Sequence, residues 1–121
     1  MKRIEAYNSY EIIKNICSGS LSVETMLKYI ELRRDLVNFI EEFDKIKIET
    51  SNQTKPKDWK EGDPHEEWDK AFVAIINEWL NKDIDIDTHI FTKEEIAKLA
   101  IANPDLTGNK LDFLIKMFTI D

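Results

Sequence analysis

Apolar residues fall at helical spacing over most of this chain of 121 residues. Residues 4–7 are short and mixed, and read as an extended arm. Asn8 or Ser9 then caps a first helix near 9–17, whose apolar face is Ile12, Ile13, Ile16 and Cys17. Ser18-Gly19-Ser20 closes it, with glycine free to take positive φ. Ser22 caps a second helix, with Glu24 in its first turn. No Gly or Pro interrupts the sequence from there to Pro56, so the spacing predicts a long helix over about 23–49. One apolar stripe is Met26, Ile30, Val37 and Ile40. A neighbouring one is Leu32, Leu36, Phe39, Phe43 and Ile46. A surface that wide suits packing against more than one element. As a coiled coil its heptads are poor, because Arg33 or Arg34 and Asp44 fall near seam positions.

Residues 50–63 are polar and read as an inter-helix loop, with Trp59 standing out in it. Asp63-Pro64 and Glu66 form a capping signature for a third helix, about 64–81. Trp68, Phe72, Ile75, Ile76, Trp79 and Leu80 give that helix its apolar face. The period then changes. Ile84, Ile86 and Ile90 alternate with Asp83, Asp85, Asp87 and His89, as in a strand or an extended connector, with residues 3–7 as one available pairing partner. Thr92 with Glu95 opens a fourth helix that Asn103-Pro104 ends. Thr107 begins a last one through about Phe118.

The fold class expected is mainly α. It is a long antiparallel helical hairpin over 22–81, with a short N-terminal helix, then a C-terminal extended segment and two short helices. Together they make a single helical domain. The expected core is Ile13, Ile16, Leu27, Ile30, Leu36, Val37, Ile40 and Phe43 from the first half. From the second it is Trp68, Phe72, Ile75, Ile76, Trp79, Leu99, Leu114 and Phe118.

Charge narrows the function classes. The net charge is −7, with 8 basic and 9 acidic residues in 1–50 but 9 and 15 in 51–121. Nonspecific nucleic-acid binding wants a basic surface, so this balance argues against it. No apolar run approaches the ~20 residues of a membrane span. The basic start lacks the apolar stretch and cleavage site of a signal peptide, which places the expected location in the cytoplasm. Cys17 is the only cysteine. It allows no intrachain disulfide or Cys-rich zinc site, and reads as a small buried apolar residue.

Chemical motifs are sparse. Asp83, Asp85, Asp87 and His89 share one side of a strand, but same-side neighbours there stand ~6.6 Å apart. They cannot all meet one ion without a bend, and a solvated face is the simpler reading. His65-Glu66 lacks the second histidine of a zincin pair. Three glycines form no phosphate loop. No cofactor, metal or catalytic residue is therefore assigned. Trp59, Arg33, Arg34 and Phe39 are the candidate partner-binding residues. Trp59 either anchors a partner or pins its loop back on the domain. The arginines share their helix with Glu24, Glu31, Asp35, Glu41 and Glu42, the mixed-sign spacing usual for a solvent face.

The stretch Gly19-Ser20-Leu21-Ser22, Lys28-Tyr29-Ile30, Leu32-Arg33 and Glu41-Glu42-Phe43-Asp44-Lys45 resembles the first half of a loose class of short, mostly helical bacteriophage proteins. Asn77-Glu78-Trp79-Leu80, the Asp83–His89 segment, Leu106-Thr107 and Leu111-Asp112-Phe113-Leu114-Ile115 are similar to its second half. The resemblance implies a phage origin and a role in virion assembly, as a tail or capsid accessory, or against a host protein. It supplies no catalytic residues. The expected function is a non-enzymatic protein-binding or assembly module that binds a protein partner or itself. A metal-dependent enzyme built on Asp83–His89 and a regulator of host protein or nucleic acid are the alternatives.

Overall fold

A computed structural model describes residues 1–16 and 21–120. They form five α-helices: α1 (Arg3–Ile13), α2 (Val23–Thr54), α3 (Glu66–Leu80), α4 (Lys93–Ala102) and α5 (Gly108–Phe118). No strand occurs among the described residues. The expected turn at Ser18–Ser20 and the burial of Cys17 fall outside them.

Helix α1 starts earlier than its pattern suggests. Glu5 accepts the backbone N–H of Lys2 at 2.8 Å, so the first turn is capped from within and residues 4–7 are helical rather than an arm. Ser9 is no cap; it is buried in the helix and donates its hydroxyl to the Glu5 carbonyl at 2.7 Å. The helix ends at Ile13, short of the expected 17.

Ser22 caps α2 as expected, accepting from the Thr25 N–H. The far end departs from expectation. The helix continues to Thr54, five residues beyond the predicted 49. Thr54 donates its hydroxyl back to the Thr50 carbonyl at 2.7 Å. Thr50 is buried, and the Ser51 carbonyl accepts from the Trp68 indole at 2.9 Å. These bonds satisfy polar groups that would otherwise favour a loop. Pro56 then disfavours further helix. The helix is 32 residues long, about 48 Å at 1.5 Å per residue.

Helix α3 returns along α2. Trp68 meets Ser51, and further along Trp79 stacks on Phe43 and Phe39 at 5.5 and 5.9 Å. Its start is later than expected. Asp63 does not cap it, because its carboxylate accepts the Lys60 N–H at 2.7 Å and closes a loop turn in which Gly62 takes φ +95°.

Residues 83–90 form an extended connector. Ile84 donates to the Met1 carbonyl at 2.9 Å, and Lys2 and Asp83 form an isolated bridge. Phe91 makes a second bridge to Thr119. Between these two points no ladder propagates, and His89 breaks the alternation with φ +58°. Ile86 is buried, with Ile84 and Ile90 packed around the core. Helix α4 has the expected capping box of Thr92 and Glu95, and α5 follows Thr107 as expected.

One cluster of buried side chains joins all five helices. Of the expected core, Ile13, Ile16, Leu36, Phe43, Ile76, Leu99, Leu114 and Phe118 are buried. Val37, Ile40, Trp68, Phe72 and Trp79 are half-buried. Leu27 and Ile30 are exposed, because α1, α3 and α4 all pack on one side of α2 and leave the other side bare. Ile75 is exposed on α3.

Candidate functional site

The bare side of α2 follows from helix geometry. Thr25, Tyr29, Leu32, Leu36, Phe39 and Phe43 face inward and are buried. At 3.6 residues per turn, Val23, Leu27, Ile30, Arg34 and Val37 lie opposite them. Val23 is 70%, Leu27 56% and Ile30 42% exposed. Arg33 and Arg34 lie on the flank and centre of this stripe, beside a shallow depression of about 350 Å³ shared with Ile30, Val37 and Asn38. Both are exposed, and neither makes an ion pair within the described residues.

The inner side is fixed by polar contacts as well as packing. Tyr29 donates its hydroxyl toward the Ile13 and Ile16 carbonyls, each at 3.0 Å, tying the end of α1 to α2. Glu95 of α4 meets Lys28 at 2.8 Å and accepts from the Thr25 hydroxyl and the Thr92 N–H. Burial works to raise the Glu95 pKa. Hydrogen bonds from Lys28, Thr25 and Thr92, with the Lys28 charge, outweigh that burial and hold it at about 2. This cluster docks α4 on α2 and leaves the outer stripe untouched.

Phe39 is not on the surface. It is 2% exposed, stacked on Phe43 at 6.0 Å and on Trp79 at 5.9 Å. As a partner-binding residue it is a correction: its stripe is the one that α1 and α3 cover, and a partner reaches it only by opening the core.

Trp59 is half-buried. Its ring lies 4.8 Å from His65 and 4.9 Å from Trp68, and its indole donates to the Pro64 carbonyl at 3.2 Å. The Lys55 ammonium sits 5.4 Å from the Trp59 ring. These contacts pin the loop onto the start of α3. Beside the cluster, between α2 and α3, runs an open groove of about 780 Å³ floored by Ile48, Trp68 and Phe72. Trp59 faces a separate depression of about 540 Å³ with Pro56 and Pro64. The structure thus gives Trp59, on the loop before α3, and the two arginines of α2 separate surfaces.

No protein-family model, curated protein or solved structure matches this chain.

The acidic segment does not gather into a site. His89 turns its Nδ1 to the Thr119 carbonyl at 2.8 Å, and among the described residues no three His, Cys, Asp or Glu side chains converge to hold a metal. No helix of the described residues is long and apolar enough to cross a membrane. Sequence reasoning missed Val23 and Ile48 as surface residues. The signal was present as a 3–4 spacing from Val23 through Leu27, Ile30, Arg34 and Val37, but the buried and bare stripes look alike until neighbours are placed.

Proposed function

We propose that this chain is a non-enzymatic protein-binding or assembly module that engages its partner through the outer face of α2. The observation that carries this reading is the run of Val23, Leu27 and Ile30, more than two-fifths exposed in three successive turns. Isolated exposed apolar residues are ordinary, whereas a continuous stripe along one helix is a contact surface. Arg33 and Arg34 at its side give such a contact polar specificity, since arginine is enriched where interfaces hold together. The likeness to short phage proteins extends the proposal to a cytoplasmic bacteriophage assembly or accessory role.

Site-specific photocrosslinking tests it in the producing cell. A benzophenone side chain at Leu27 is expected to give a discrete crosslinked protein band. The same group at Ile101, 81% exposed on α4, is expected to give none. Equal yields at the two positions, or none at Leu27, would sink the proposal.

A further inference from the structure

The outer stripe of α2 continues past Val37. Val23, Leu27, Ile30 and, where the stripe meets the groove against α3, Ile48 are its exposed apolar members. Arg34, Glu41 and Asp44, which borders the same groove, are its exposed charges. The spacing alternates four and three residues over 23–48, the repeat of a helix seam. Over that distance the stripe is about 38 Å long at 1.5 Å per residue. The charges are ordered: the cation lies toward the N-terminus and the anions toward the C-terminus.

We infer that this face pairs with the same face of a second copy running antiparallel, so that Arg34 of each copy meets Asp44 of the other. This rests on the reading of the outer face as the contact surface. A two-fold interface must be complementary to itself, and the order of charges satisfies that condition only when the helices run in opposite directions. A parallel pair sets Arg34 against Arg34 and Glu41 against Glu41, and like charges across a contact repel. In the antiparallel register, Ile30 packs on Ile48 of the other copy and Val37 on the stem of Glu41, while Leu27 and Val23 lie over Ser51 and the stem of Lys55 at the two ends of the contact. On one flank of the seam Glu31 faces Lys45, both exposed and opposite in charge. On the other Arg33 faces Lys47, whose charge its own Asp44 offsets. Asp44 already touches its own Lys47 at 3.2 Å, yet its side chain is 61% exposed and keeps oxygen lone pairs for a second donor. The charged positions that spoil a parallel coiled coil thus become the pairs that set this register.

Sedimentation equilibrium on the full chain at low salt tests the pairing. The mass is expected to rise with concentration from the 14.2 kDa monomer to twice that. R34E alone and D44R alone are each expected to weaken association by about tenfold or more. An equimolar mixture of the two recovers it, because both cross-pairs then join opposite charges. R34E/D44R in one chain associates as the parent does. Helical circular dichroism is expected to be unchanged in every variant. A parent mass fixed at 14.2 kDa over the whole range overturns self-pairing, while the Leu27 crosslink remains the separate test of the surface. A parent dimer whose mixed variants fail to recover overturns the antiparallel register.

Discussion

Glu95 shows how much one side chain can hold. It caps its own helix, pairs with Lys28 and receives the Thr25 hydroxyl. With its folded pKa depressed to about 2 from an ordinary 4.5, its contribution is fully present above about pH 4.5. It is lost as pH falls toward 2, where the carboxylate takes up a proton in the folded state too. Glu95→Gln is therefore expected to cost on the order of 2 kcal/mol at neutral pH. In urea titrations the deficit should shrink between pH 4.5 and 2. A deficit constant over that range would separate Glu95 from the pH dependence. Phe39 makes the complementary case at the same scale. Phe39→Ala should cost about 3–5 kcal/mol by thermal or urea denaturation, as expected for an aromatic removed from a packed core. A loss below about 1 kcal/mol would return it to the surface. The capping pair Thr92–Glu95 was legible as a sequence spacing; the reach of Glu95 to Lys28 was not, because 67 residues separate them.

At the scale of elements, α2 carries the principal surprise. Its polar end, Thr50 to Thr54, reads as loop because threonine, serine and asparagine bond their own backbone in turns as readily as in helices. What decides for helix is the neighbour. Trp68 binds the Ser51 carbonyl and Thr50 is buried. Ser51→Pro tests this directly. It should cost about 3 kcal/mol in a helix, and chemical denaturation would read it. A silent substitution would mean that 50–54 is loop after all. Residues 83–90 read from the sequence as either a strand or an extended connector, and the structure takes the connector. Their alternation is real, with Ile84 and Ile86 turned inward, but alternation only states which side is apolar. A strand also needs a partner ladder, and here the neighbours offer one bridge at each end.

The whole molecule assigns α2's two apolar stripes unequal fates. Both are helical in period and similar in composition. The helices α1 and α3 cover the stripe of Leu32, Leu36, Phe39 and Phe43, α4 docks on Thr25 and Lys28, and the stripe of Val23, Leu27 and Ile30 is left to solvent. Three short companions cannot encircle a helix of about 48 Å, so one face stays open. That open face is where the photocrosslink at Leu27 and the charge-swap pairing of Arg34 with Asp44 apply their tests.

By itself the sequence determined the helical class, the caps at Ser22 and Thr92, the last helix after Thr107 and about half of the core. These depend on periods and on contacts within a few residues, which a linear pattern contains. Only the tertiary structure decided which side of α2 is covered, that Phe39 is inside, that Trp59 folds onto His65 and Trp68, and that 83–90 is a connector. Each of those depends on which distant segment arrives to take a hydrogen bond or cover an apolar face, and spacing along one chain does not carry that information.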